Sequence, residues 1–356
     1  MEGKTGTQTK KGQRLNGRRL AADPVRKGKG MKNRHWIAGI LCVIGIWLTG
    51  CGQLEIEERS FPLALAVGAG EDDGSYDFTF FFEEMESAGS SLYHKENVKV
   101  TAGGYPQAYT IFGRTQAAQP DDSHMQVILL SEELLDEQEF LDSFYSYAMK
   151  EHHFSWNTMV YLTRAGAALE TELADHTGDR PGSYLRDMAQ SDEQEKTAGV
   201  PTLGDLYMER QNREKVLLLP VLGSELPLHV DHYRLLVCGQ AQESVDPDTA
   251  RLIQLLQGRL NKMQLELADG TVMELTGIRS GREYVSQSER WQVTIHMEAV
   301  AQNRLQLSEW ERECLRGESL ALLKERLSPL LQWAPIKDAD GQLVQPRYVL
   351  DLQVLE

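Results

Sequence analysis

Apart from one stretch of 14 residues the sequence has no long apolar run, and that stretch is too short to cross a membrane. Trp36–Thr49 (WIAGILCVIGIWLT) is uncharged, but a helix needs about 20 apolar residues to span a hydrocarbon core of roughly 30 Å. Cysteine is scarce: 4 in 356 residues, too few for a scaffold built on disulfides. Neither G-x-S-x-G nor G-x-x-x-x-G-K-[ST] occurs, so the sequence marks of a hydrolase elbow and of a phosphate loop are both missing. Positive charge is also scarce beyond residue 50. Residues 1–50 hold 11 of the 37 Lys+Arg but only Glu2 and Asp23 of the 53 acids, which leaves 26 basic and 51 acidic residues, a net of −25. A chain of that sign does not bind nucleic acid or an anionic membrane by charge alone.

What is present at the N-terminal side is an export signal. Met31-Lys32-Asn33-Arg34 supplies a positive start, Trp36–Thr49 a short apolar core, and Leu48-Thr49-Gly50 small residues before Cys51. Those are the parts of a bacterial lipoprotein signal. Cleavage is expected between Gly50 and Cys51, with the Cys51 sulfur joined to a diacylglycerol. Two acyl chains suffice for stable anchoring. Residues 1–30 are basic, rich in glycine and without apolar periodicity. They are expected to be non-native or disordered, with Met31 the true start and 31–50 the signal; a basic nucleic-acid arm does not fit an exported chain. Cys238 and Cys314 are expected as isolated buried thiols.

The remainder reads as a mixed α/β (α+β) protein of three domains: an N-terminal α/β domain over 51–190, a small middle domain over 198–245 and a C-terminal domain over 246–356. Phe61–Ala69 (FPLALAVGA) is continuously apolar, as a strand buried on both faces is. Glu71–Ser75 is a turn and Tyr76–Phe82 a second strand, which together predict a β-hairpin. Helices are predicted at Pro106–Ala118, Ser131–Lys150 and Ala165–Ala174, with strands at Met125–Leu130 and Thr158–Thr163. Ser191–Thr197 (SDEQEKT) reads as a polar link. Then follow a helix at Thr202–Asn212, an extended Lys215–Gly223, a strand at Tyr233–Ala241 and a helix at Thr249–Gln257 closed by Gly258. Gln264–Leu267, Thr271–Arg279 and Trp291–Ala301 read as antiparallel strands with Asp269-Gly270 as the first turn. Ser308-Glu309-Trp310-Glu311 is a capping box opening a long helix to about Trp333. With a closing strand at Tyr348–Leu355, the last domain is predicted as an antiparallel sheet covered by that helix.

Candidate chemistry is thin. His152-His153 point about 100° apart if helical, so they do not share a face for a metal, even with His124 nearby. His229-Val-Asp-His232 offers ligand types but reads as a polar connection between strands. The paired carboxylates Glu57-Glu58 and Glu83-Glu84 are solvated surface in so acidic a chain. No catalytic residue, metal ligand or cofactor is predicted.

The order of elements, together with several segments, resembles the Ger(x)C family, the C subunits of bacterial spore nutrient-germinant receptors. The likeness is carried by Cys51, the EIEER tether, FPLALAV, VILLSEELL, FLDSFYSYAMKEHHFSWNTMVYLTRAG, VPTLGDLY with KVLLLPVLG, and YRLLVCGQAQESVDPDTARLIQLLQG. Family members often have a tryptophan and an acid after the lipidated cysteine, where this chain has Gly52 and Gln53, and an aromatic where it has Cys238. The resemblance implies a three-domain mixed α/β protein anchored on the outer face of the cell membrane or spore inner membrane. It implies membrane-embedded A and B subunits as partners, no nucleic acid, no cofactor and no enzymatic activity. A lipid-anchored solute-binding protein, and an exported metal-dependent hydrolase using His124, His152 and His153, are the rival readings.

Overall fold

The computed structural model describes residues 59–82, 97–116, 118–150, 154–164, 180–195, 199–212, 216–223, 228–237, 239–286, 288–304, 306–338 and 340–355. Cys51, the signal, Cys238, His152, His153 and the helix predicted at Ala165–Ala174 lie outside the described residues.

The chain enters through a two-residue strand β1 (Arg59–Ser60) and forms the predicted hairpin from β2 (Ala64–Ala69) and β3 (Tyr76–Phe81). Gly74 takes the left-handed conformation (φ 72°) that the turn requires. An unpredicted strand β4 (Val98–Ala102) pairs with β3. Helix α1 (Tyr105–Gln116) follows, then β5 (Gln119–Pro120), which pairs in parallel with β1. Strand β6 (Val127–Ser131) runs into a 3₁₀ turn over Glu132–Asp136 before α2 (Gln138–Lys150). The single helix expected over Ser131–Lys150 is therefore broken at Glu137, whose amide bonds back to the Leu134 carbonyl at 3.1 Å. Next come β7 (Met159–Thr163), α3 (Pro181–Glu195), α4 (Leu203–Asn212), β8 (Val216–Leu222), β9 (Val230–Val237) and β10 (Gln240–Val245).

Two expectations need correcting here. Ser191–Glu195 is not link but the last part of α3, whose inner face buries Leu185 and Ala189. The strand expected at Tyr233–Ala241 is two strands, turned at Gly239 (φ 75°).

Strands from 64 to 245 build one eight-stranded sheet in the order β10-β9-β8-β7-β6-β2-β3-β4. Its central strands β2, β6, β7 and β8 are parallel. Such strands are covered on both faces, which is why they read as unbroken apolar runs. Leu65, Val67, Ile128 and Leu130 pack with Phe112 of α1 and Phe144 of α2, whereas Ala64, Ala66, Leu129 and Tyr161 pack with Leu185 of α3.

Helix α5 (Pro247–Gln257) has Asp246 as N-cap, accepting from the Thr249 amide at 3.0 Å, and Gly258 (φ 69°) beyond its C-terminus. It buries Ala250 and Ile253 against β8 and β9 and Leu252, Leu255 and Leu256 against the second sheet. That sheet contains β11 (Met263–Glu266), β12 (Val272–Val285) and β13 (Arg290–Ala301). Helix α6 (Glu309–Leu327) leads through a 3₁₀ turn (Ser328–Trp333), β14 (Ile336–Lys337) and β15 (Leu343–Val344) to β16 (Arg347–Val354). The capping box is present: Ser308 Oγ accepts from the Glu311 amide, and the Glu311 carboxylate accepts from the Ser308 amide at 2.8 Å. Leu315, Leu323 and Leu327 then cover Met273, Leu275, Ile295 and Leu352.

The sheet order is β11-β12-β13-β16, and β16 runs parallel to β13 rather than antiparallel. The reason is geometric. A helix of 19 residues rises about 28 Å at 1.5 Å per residue and returns the chain to the end where β13 began. The predicted mixed α/β class holds, with the long helix on the last sheet.

Candidate functional site

The densest gathering of charge among the described residues lies where β6 and β7 end. Each parallel strand delivers its next residue at the same edge of the sheet, Glu132 after β6 and Arg164 after β7. From the neighbouring direction β9 presents Asp231, His232 and Arg234. The Arg164 guanidinium lies 3.6 Å from the Glu132 carboxylate, 3.5 Å from Asp231 and 3.2 Å from Nδ1 of His232. His232 approaches Asp231 at 3.1 Å and Glu132 at 3.6 Å, and Arg234 reaches Glu132 at 3.5 Å. An imidazole with Nδ1–H donating to Asp231 leaves Nε2 to accept from Arg164. Two guanidinium groups then balance two carboxylates. The hydrogen bond from His232 holds the Asp231 carboxyl below the usual carboxylate range. These groups answer one another, so the cluster ties three strands together.

Of the H-V-D-H stretch, Val230, Asp231 and His232 begin strand β9 rather than forming a polar connection, only His229 preceding it, and His232 is buried. The pattern of one face in and one face out takes His232 inward and Asp231 outward. His124 closes a short 3₁₀ turn with its ring set edge-on to Phe61 at 5.3 Å. Among the described residues no three His, Cys, Asp or Glu side chains gather as a metal site. Cys314 is free and half-buried, less enclosed than expected.

A second polar feature was invisible in sequence. Tyr105, the first residue of α1, donates its hydroxyl to Oδ2 of Asp122 at 2.6 Å inside the aromatic core. Asp122 is 1% exposed and its Oδ1 has no hydrogen-bond partner among the described residues. Burial pushes its carboxyl up to about 7, the tyrosine hydrogen bond opposing the shift. A third is Glu209 on α4, also buried, which accepts from the Gly239 amide at 2.7 Å and so pins the β9–β10 turn. Each pairing spans many residues or two elements, so no local spacing announces it.

Residues 52–224 match a protein-family model described as Spore germination protein N-terminal domain. The chain is also similar to a solved structure titled "Crystal Structure of the GerBC protein", at 12% identity and a TM-score of 0.46, over 82% of this chain and 97% of that one. None of the curated proteins matches it.

Proposed function

The chain belongs, through residues 52–224, to the Ger(x)C family of spore germination proteins, and from that premise we propose that it is a non-enzymatic, lipid-anchored subunit of a spore nutrient-germinant receptor. The observation that carries the reading is the family match. It works with membrane-embedded A and B subunits on the outer face of the spore inner membrane. Cys51 is the lipidated residue, made N-terminal by cleavage after Gly50. No helix among the described residues is long and apolar enough to cross a membrane, so a lipid on Cys51 accounts for attachment. The polar side chains gathered at the sheet edge bind one another, which suits a structural part better than a catalytic one.

The test is fractionation and co-purification of the full chain from its own cells. The wild-type chain should sediment with membrane and carry two multi-span proteins through detergent extraction. The Cys51→Ala chain should lose the diacylglyceryl mass and its cleavage. An unmodified Cys51 in the wild type, or wild-type chain recovered wholly outside the membrane fraction, would contradict the anchor.

A further inference from the structure

A cavity of about 890 Å³ opens between the β12–β13 hairpin end and the segment leading into β16. One wall is aromatic. Tyr284 and Trp291 face each other across the two strands, edge to face at 5.6 Å, and Tyr284 is 52% exposed. Val344 and Pro346 supply further apolar surface, and Leu343, next to Val344, is itself exposed. Around this wall stand two cations, Arg290 and Arg347, and the anions Glu289 and Asp340. No described side chain pairs with any of these four. The remaining acid, Asp338, is committed to its own turn, accepting from the Gln342 amide at 2.8 Å.

An aromatic wall suits a ligand with an apolar part or a cation. Guanidinium groups suit phosphate, and free carboxylates suit ammonium. Together they call for both signs in one ligand. An exposed tyrosine and leucine at a strand end, with arginines beside them, is also the make-up of a surface that meets a bilayer interface. The chain is too acidic to favour an anionic bilayer, which selects a neutral headgroup.

We propose that this cavity seats the headgroup of a zwitterionic phospholipid, its phosphate on Arg290 and Arg347 and its ammonium on Glu289, Asp340 and the Tyr284 ring. The inference rests on the anchored reading only in that the anchor holds the molecule at a bilayer.

The test uses the full chain reconstituted in phosphatidylcholine vesicles doped with a phosphatidylcholine that carries a small diazirine on one N-alkyl group, which keeps the quaternary ammonium and hence both charges of the headgroup. Vesicle flotation reports anchoring separately from headgroup labelling. Labelled peptides should concentrate at residues 284–291 and 338–347. The double variant Arg290→Ala/Arg347→Ala should lose labelling there at least about tenfold, the loss of one charge-assisted contact, with its far-UV spectrum unchanged. Tyr284→Ala should lose it too. Protein that floats with the vesicles but is labelled no more at the cavity than elsewhere overturns the proposal, as does labelling that both variants retain. Labelling by the free photoactivatable phosphocholine but not by the vesicle lipid assigns the site to a soluble zwitterion and overturns it equally.

Discussion

Replacing Asp122 by asparagine should change how stability depends on pH. The side chain is buried, with one oxygen on the hydroxyl of Tyr105 and the other without a hydrogen-bond partner among the described residues. A carboxylate there has lost its hydration and gained one neutral donor, so the protonated form is favoured. The neighbouring Asp121 carboxylate adds to that preference. The folded-state value is about 7 against 3.8 for the free side chain. Because folding raises the value of an acid, the native state binds more protons than the unfolded one between pH 4 and pH 7. The stabilisation is therefore full below pH 4 and is lost as pH rises through 7. At 1.36 kcal/mol per unit, a difference of about three units amounts to at most about 4 kcal/mol. Asparagine keeps an oxygen for Tyr105 but has no proton to lose, so Asp122→Asn removes this part of the pH dependence. All other titrating groups are common to both chains and cancel in the difference. Urea unfolding by far-UV circular dichroism at pH 5 and pH 8 measures it. The wild type should lose stability relative to Asp122→Asn across that interval, by a few kcal/mol. Parallel curves for the two chains would refute the claim that Asp122 is protonated in the folded core.

Other substitutions probe the remaining architecture. Ser308→Ala removes the hydroxyl half of the capping box on α6 and should cost about 1 kcal/mol, read as a lower urea midpoint with an unchanged slope. Phe112→Ala opens a cavity beneath Phe80 and Phe82 and should cost about 3–5 kcal/mol, measurable in the same experiment. Gly258→Ala places a Cβ 2.2 Å from Ser280 Oγ at a positive φ of 69°. It should destabilise by more than the 1–2 kcal/mol of left-handed strain alone, and Gly258→Asn should be better tolerated.

Much of the local structure was legible because its causes are local. Glu71–Ser75 lacks any residue that would continue a strand, so the β2–β3 hairpin reads directly. Ser308 and Glu311 satisfy each other's amides three residues apart, and Gly258 stops α5 in a left-handed conformation that glycine adopts at little cost and other residues do not. What escaped is what depends on distant partners. Strand β4 (VKVTA) is too short to show a period. The end of helix α3 reads as a link because Ser191–Glu195 (SDEQE) is wholly polar in sequence, although Pro181 at its start is a valid helix signal. The direction of β16 follows from the length of the α6 crossover, a property of the whole unit rather than of the strand. The cluster of Glu132, Arg164, Asp231 and His232 is hidden for a different reason. Each member is one charge among many, and only the parallel order of β6 and β7 with β9 beyond them brings the four together. The buried acids Asp122 and Glu209 are likewise indistinguishable in sequence from the solvated ones.

The physical character of the chain fits a part in an assembly. Its acidic composition disfavours nucleic acid as a partner. The decisive measurement is the germination response itself. Deleting the gene, in a strain lacking any paralogue, should abolish or strongly slow the loss of spore refractility after nutrient addition, and restoring the wild-type chain should recover it. Unchanged germination of the deletion strain with every nutrient tried would contradict the assignment to a germinant receptor.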